Sequence, residues 1–480
     1  METLSTQQAV VQKTSYRWTI CSMLFFATTI NYLDRQVLSL TWKDFIAPEF
    51  HWTNADYGNI TSIFSLVYAF SMLFAGKIVD KLGTKKGFLW AIAIWSIGAC
   101  LHAVCGVVTE LLVGLPNADA LRAVAAGTEI AAKIALISTV LFIFARIVLA
   151  VGEAGNFPAA IKATAEYFPK KDRAYATSIF NAGATIGALA APVTIPFIAK
   201  AYGWEMAFII IGGLGFIWMG FWQFMYKGLN ENPNVNEAER DYILQDKDEQ
   251  VTSESNKSEK QLSYLKAFSY KQTWAFAFGK FMTDGVWWFF LFWMPAYLSS
   301  VYGLDSTESA PLIFVMYLIT LLSIGGGYLP TLFVDKMGME PYEGRMRAML
   351  IFAFFPLLAL FAQPLGHISY WIPVIIIGIA GAAHQSWSAN IFSTIGDMFP
   401  KSVIATITGI GGLAGGLGSV LINKGSGNLF DYATETNMKF MGFEGIEAGY
   451  FIIFSICAVA YLIGWSVMKL LVPKKETITI

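Results

Sequence analysis

Apolar residues run in stretches of twenty or more, separated by shorter polar connections. The pattern recurs near 18–40, 58–79, 86–108, 134–157, 174–199, 204–226, 274–300, 309–333, 346–365, 370–392, 403–422 and 446–471. About 20 mostly apolar residues are what a helix needs to cross a hydrocarbon layer. The runs are too long for barrel strands and lack strict alternation. In lipid every backbone polar group must be satisfied within its own segment, so each run predicts a membrane-spanning α-helix. Segment 109–133, between spans three and four, is partly apolar and long for a connection; it predicts a short surface helix, not a further crossing. Residues 227–273 are the one long polar stretch and read as a solvated linker with no catalytic role. The expected organisation is a six-helix bundle over 1–226, the linker 227–273, and a second six-helix bundle over 274–480.

Composition sharpens this. Of 480 residues, 55% are hydrophobic and only 14% are Asp, Glu, Lys or Arg, against roughly 25% charged in a soluble domain. An ordinary soluble enzyme is excluded. With 33 Lys and Arg against 34 Asp and Glu, the chain lacks the basic field of a nucleic-acid binder. Cys21, Cys100, Cys105 and Cys457 fall in or beside apolar runs, without metal-ligand spacing, and read as packing residues. No HExxH, GxSxG or Walker sequence is present, so no enzyme, metal or cofactor is expected. Lys13 and Arg17 precede the first run, which Asn31, Asp34 and Arg35 interrupt without a small-residue cleavage site; it reads as a retained span. Lysines and arginines outside the spans concentrate in the terminal segments, the even-numbered connections and the linker, which predicts that both termini are cytoplasmic.

The chain repeats itself. Asp80-Lys81-Leu82-Gly83 after span two recurs as Asp335-Lys336-Met337-Gly338 after span eight, and Phe168-Pro169-Lys170 after span four recurs as Phe399-Pro400-Lys401 after span ten. The two spacings differ by about the length of the 109–133 segment, so one insertion reconciles them. Span eleven carries Gly409, Gly411, Gly412, Gly415, Gly416 and Gly418, with Gly183 and Gly187 as its counterpart in span five. Duplicated six-helix units are how many secondary transporters are built, with substrate held between them at mid-membrane.

Ionisable residues inside spans cost about 2.5 to 3.5 kcal/mol each on the insertion scale and need partners. Asp34 with Arg35, Arg146 with Glu153, and Lys280 with Asp284 make three acid and base pairs by sequence. Arg146 and Glu153 are two turns apart, roughly 10 Å, on one side of a helix. Lys280 and Asp284 are spaced to meet directly along one helix. Pairing that merely locks helices together is the competing reading for each.

The run Gly76-Lys77-Ile78-Val79-Asp80-Lys81-Leu82-Gly83-Thr84-Lys85-Lys86 matches G-x-x-x-D-[RK]-x-G-x-[RK]-[RK], the signature between helices two and three of major facilitator superfamily transporters. Further stretches resemble its anion:cation symporter family, in the hexuronate and aldonate branch. These are Asn31 to Arg35, Arg146 to Pro158 with Glu153 and Asn156, Ile179 to Gly183, Asp284 to Phe289, and Phe292 to Pro295. Relatives of the hexuronate type usually have Pro at the position of Gly285 and often Arg at that of Lys280. The resemblance implies an all-α membrane protein of twelve helices in two pseudo-symmetric bundles. It implies a proton-coupled symporter importing glucuronate, galacturonate or a similar sugar acid across a bacterial inner membrane as a monomer. Carriage of an aldonate, aldarate or aromatic acid, or nutrient sensing without transport, are the alternatives.

On that reading Arg146 and Arg35 grip the substrate carboxylate, since a guanidinium donates two parallel hydrogen bonds that an ammonium cannot match. Asp34 and Glu153 take the coupling proton. Gly76, Asp80, Lys81, Gly83, Lys85 and Lys86 form an ion-pair latch around a tight glycine turn. Tyr32, Tyr68, Asn181, Gln385, Trp387, Ser388 and Asn390 supply polar and aromatic lining, the span-ten residues resembling the family's substrate-facing patch. Each could equally hydrogen-bond helix to helix. Lys280, Asp284 and His384 are weaker candidates. The aromatic run Trp287, Trp288, Phe289, Phe290, Phe292, Trp293 is open between gate and lipid belt.

Overall fold

The computed structural model describes residues 13–245, 264–326, 328–400, 403–475 and 478. Helices cover all twelve apolar runs: α1 Tyr16–Thr41, α2 Asn54–Leu82, α3 Thr84–Val113, α4 Glu129–Glu153, α5 Lys170–Tyr202, α6 Trp204–Met225, α7 Lys271–Tyr302, α8 Ser306–Thr320, α9 Pro341–Phe354, α10 Trp371–Met398, α11 Ile404–Glu435 and α12 Ile446–Leu471. Among the described residues, ten segments are long and apolar enough to cross a membrane. The other two expected spans, α1 and α7, are as long and carry the intramembrane charges Asp34 and Arg35, and Lys280 and Asp284. The protein is multi-pass. Three spans are interrupted. α4 pauses at Ala154–Gly155 and resumes as Asn156–Tyr167. α8 ends in a turn at Leu321–Leu322, goes on as the short helix Ser323–Gly326, and resumes as Leu329–Met337 with Pro330 in its first turn, where a proline is tolerated. α9 tightens to a 3-10 turn, Phe355–Phe361, with Pro356 near its start.

Helices α1–α6 and α7–α12 form the two halves, and the same partners pack in each: α1 on α5 matches α7 on α11, and α3 on α4 matches α9 on α10. The glycine repeat explains the closeness. A Cβ on Gly187 would lie 2.5 Å from the Thr29 carbonyl oxygen on α1, and one on Gly418 would meet the Phe281 carbonyl on α7. Gly187→Val should therefore force α1 and α5 apart, costing about 1–3 kcal/mol or more; a lower melting temperature in detergent checks it, and an unchanged one would mean the pair can relax. The Phe-Pro motifs sit at matched places too. Glu166, two residues before Phe168, accepts from Thr84 of α3 at 2.5 Å and from Tyr226, while Asp397, two before Phe399, pairs with Arg345 of α9. Lys401 lies outside the described residues.

Segment 109–133 holds the short helix Ala118–Arg122, as expected. It is docked, not loose. Arg122 reaches the fully buried Glu49 at 2.5 Å, Trp204 Nε1 donates to the same Glu49 oxygen at 3.2 Å, and a His51 ring nitrogen lies 2.9 Å from the Leu121 carbonyl oxygen.

The linker expectation needs correction over its first part. Residues Glu237–Leu244 are a helix fixed to the first half, with Glu239 and Ile243 buried. No side chain at Ser15 caps α1, leaving its first amides without partners. Glu239 takes that place: it accepts from the Tyr16 and Arg17 amides at 3.0 and 3.1 Å, from Arg17 Nη1 at 2.9 Å and from Thr14 Oγ1 at 2.6 Å. Carboxylates suit a helix N-terminus because the amide dipoles point at them. Residues 246–263 of the linker lie outside the described residues. The four cysteines are free, and all but Cys100 are fully buried.

Between the halves, α2 lies along α11 and α5 along α8. The hydrogen bonds and ion pairs joining them, among the described residues, lie at mid-depth or at the face opposite the termini. Asp431 at the end of α11 accepts from the Asn54 and Ala55 amides and from Asn54 Nδ2 at 2.7 to 2.9 Å. Asp44 accepts from the Ser306 amide at 2.5 Å and from Ser299 Oγ at 3.3 Å. Lys200 pairs with Asp305 at 3.3 Å. The Thr307 hydroxyl, ahead of other causes, holds the Asp305 carboxyl down to about 2, so it is charged at every ordinary pH. Ser65 and Ser419 meet at 2.9 Å midway. The molecule is thus closed at the face away from its termini.

Candidate functional site

A cavity of about 810 Å³ lies between the halves, lined by Tyr32 of α1, Phe157, the 178–189 stretch of α5, Trp287 of α7, Tyr317 to Ile324, and Gln385, Ser388 and Phe392 of α10. These positions run from the middle of α5, α8 and α10 toward the face that carries the termini. Of the expected lining residues, Tyr32, Asn181, Gln385 and Ser388 are in its wall. Trp387 and Asn390 are not in that wall. Residues 385, 388 and 392 share one helical face, whereas the buried Trp387 packs edge-on to Tyr461 at 5.5 Å and Asn390 donates to the Ser386 carbonyl at 2.8 Å.

Beside the cavity the first half gathers two arginines and two carboxylates: Asp34 and Arg35 from α1, Arg146 and Glu153 from α4. All are at most 4% exposed. In this half neither Asp34 with Arg35 nor Arg146 with Glu153 meets along its own helix. Neighbours in a helix do not face one another and residues two turns apart are too far. Instead Arg35 crosses to α4, its Nε and Nη2 donating to Glu153 Oε2 at 2.9 and 2.7 Å. Arg146 Nε and Nη1 have no hydrogen-bond partner among the described residues, both Asn31 amide atoms are likewise unsatisfied, and Asp34 faces the Trp95 indole without a hydrogen bond of good geometry. Arg146 is within electrostatic reach of Glu153, Asp34 and Arg35. Buried polar groups left without partners cost stability, so native folds keep few of them and such a cluster calls for an explanation.

Aromatic rings complete the surroundings. The Arg35 guanidinium lies 4.7 Å from the Tyr68 ring centroid, 5.1 Å from Tyr32, 5.2 Å from Trp288 and 5.9 Å from Phe64; Arg146 lies 5.2 Å from Phe64. The four charged side chains are outside the cavity wall, with Tyr32 the residue common to wall and cage. In the second half Lys280 meets Asp284 at 2.7 Å, as its spacing predicts, and stands 4.3 Å from the ring of Phe392, a wall residue. His384 Nδ1 lies 2.7 Å from the Tyr461 hydroxyl, and its ring stacks on Trp287 at 5.3 Å. Among the described residues no group of His, Cys, Asp and Glu could hold a metal ion.

The motif residues lie at the termini face. Gly83 makes the turn between α2 and α3 at φ +79°, a conformation glycine adopts without strain. Asp80 pairs with Lys162, on the continuation of α4, at 2.9 Å, and Lys85 donates to the Gln223 carbonyl at 2.7 Å. Lys81 and Lys86 are exposed, and a side chain at Gly76 would meet nothing within 4 Å.

Sequence reasoning missed Phe64, Lys162, Trp288 as part of the cage, and Tyr461. Phe64 was within reach, since it precedes Tyr68 by one helical turn and must share its face. Lys162 and Tyr461 carry no local signal, because each is defined by a partner on a distant helix.

The sequence profile of the Major Facilitator Superfamily matches residues 24–422. The chain belongs to that superfamily. It is a transporter fold and not an enzyme. Relatives include the hexuronate transporter of Escherichia coli K12, 28% identical over 464 residues and covering 94% of each chain. The galacturonate transporter of Dickeya chrysanthemi is 27% identical over 318 residues, 66% of this chain and 82% of that one. Among solved structures, a D-xylose–proton symporter superposes with a TM-score of 0.64 at 16% identity, over 94% of this chain and 98% of that one, which speaks for the fold alone. The names of the two curated relatives agree with the hexuronate branch that the sequence resembles.

Proposed function

We propose that this chain is a proton-coupled symporter that imports a hexuronate, glucuronate or galacturonate, across the bacterial inner membrane as a monomer, by alternating access between its halves 1–226 and 274–480. The observation that carries the reading is the buried cluster of two arginines and two carboxylates, beside a cavity of about 810 Å³, within the size range of small-molecule sites. The relatives named above, by what they are called, favour a uronic acid as cargo. With both termini cytoplasmic, the described state is closed outside and faces inward.

The geometry suggests how proton and anion are linked. With both carboxyls ionised the cluster is balanced, two positive against two negative, and Arg35 is held by Glu153. A carboxylate entering alone would add an uncompensated charge in a poorly solvated place, which is costly. Protonation of Glu153 removes the countercharge from Arg35 and frees its fork for the substrate; Arg146, with donors free, supplies the second grip. Asp34 is the other proton acceptor. Tyr32 must turn aside for the carboxylate to reach Arg35, while Asn181, Gln385 and Ser388 meet the sugar hydroxyls. Asp80 with Lys162 ties α2 to the continuation of α4 beside the turn at Gly83, an ion pair between neighbouring helices of the first half that breaks and reforms as the halves rock.

Uptake into vesicles tests this. Labelled glucuronate or galacturonate should accumulate with an inward pH gradient and collapse with an uncoupler. No accumulation of either would reject the hexuronate assignment, and accumulation insensitive to uncoupler would reject proton coupling.

A further inference from the structure

Trp287 and Trp288, adjacent on α7, face different groups. Trp287 lines the cavity and stacks on His384 within its own half. Trp288 reaches across to the other half: it packs against Tyr68 at 5.8 Å and Phe64 at 5.9 Å, both on α2, and its ring lies 5.2 Å from the Arg35 guanidinium. Three rings around Arg35 belong to its own half and one to the opposite half. An arginine over an aromatic face is attracted by the ring's quadrupole, more strongly when desolvated, and tryptophan offers the best face. Arg35 is 4% exposed.

We propose that Trp288 is a positioning residue for transport, holding Arg35 across the seam and so favouring the substrate-free state that is closed outside. This rests on the alternating-access reading above. α7 also bears contacts that close the outer face: Ser299 donates to Asp44, and Tyr57 of α2 donates to the Phe292 carbonyl at 2.8 Å. When these part, α7 withdraws from α1 and α2, and Trp288 leaves Arg35 with them. A contact made in one of two states shifts their balance by its full worth, here about 2- to 30-fold in the population ratio. It also acts at the arginine that Glu153 protonation releases, so cargo capture and closure meet at one guanidinium.

The test uses the full-length protein in lipid, spin-labelled at exposed Asp119 and Glu435 on the outer ends of the two halves, with the distance distribution read without substrate. Trp288→Leu should raise the outward-open population relative to the closed one by about 2- to 30-fold, and Trp288→Phe should fall between Leu and the parent. In an Arg35→Gln background Trp288→Leu should add no further shift, since the ring would have lost its cation. An unchanged distribution in Trp288→Leu overturns the proposal. So does an equal shift with and without Arg35, which would make the ring ordinary packing. Asp431→Asn, which weakens the outer closure elsewhere, separates the two readings. If it opens the outer face while Trp288→Leu does not, only the proposal falls; a single distance in every variant removes alternating access as well.

Discussion

Replacing Arg146 with lysine is expected to weaken substrate binding about 10- to 150-fold, the equivalent of one charge-assisted hydrogen bond of about 1.5–3 kcal/mol, while the protein remains folded. The guanidinium is 2% exposed, and neither Nε nor Nη1 has an acceptor among the described residues. A group held at such cost with its donors free is prepared for a partner that arrives later. Lysine keeps the charge and loses the planar fork, so the variant isolates geometry from net charge. Titration of glucuronate into the purified protein, beside circular dichroism and a melting curve, checks it. Parental affinity in the lysine variant would remove Arg146 from the clamp.

Glu153→Gln is expected to abolish accumulation driven by a pH gradient while exchange of internal for external substrate continues. Glutamine is a permanent stand-in for the protonated acid and leaves Arg35 without the countercharge it meets at 2.7 Å. Breaking one side of a buried pair commonly costs 3–5 kcal/mol, so the yield of folded protein should fall. Glu153→Asp, which keeps the charge, is the companion that separates lost stability from lost coupling. Accumulation ratios and counterflow, measured on the same vesicles, tell the outcomes apart. Gradient-driven accumulation that survives in Glu153→Gln would leave Asp34 as the coupling acid.

How much of this could be read from the sequence follows from the range of each signal. The spans were legible because hydropathy is a property of a contiguous run, and the Lys280 with Asp284 pair because four residues fix two side chains on one helix face. The Arg35 with Glu153 pair was not legible, since each residue had a nearer opposite charge along its own helix and nothing local says which face meets α4. Trp387 and Asn390 were expected beside Gln385 and Ser388; the helical period separates them, and only the placement of α10 reveals which face adjoins the cavity. The linker misled for a different reason. Its polarity is genuine, yet Glu239 is buried because the start of α1 lacks a cap of its own, a requirement that arises more than two hundred residues upstream.

That last contact bears on biosynthesis. A chain enters the bilayer from its N-terminus and its domains tend to mature in order, yet the opening turn of α1 finds its acceptor only when residue 239 has left the ribosome, after α6 is complete. Maturation of the first half is thereby timed to its last helix, and the nascent bundle stays adjustable until the segment that follows it folds back to close the first turn.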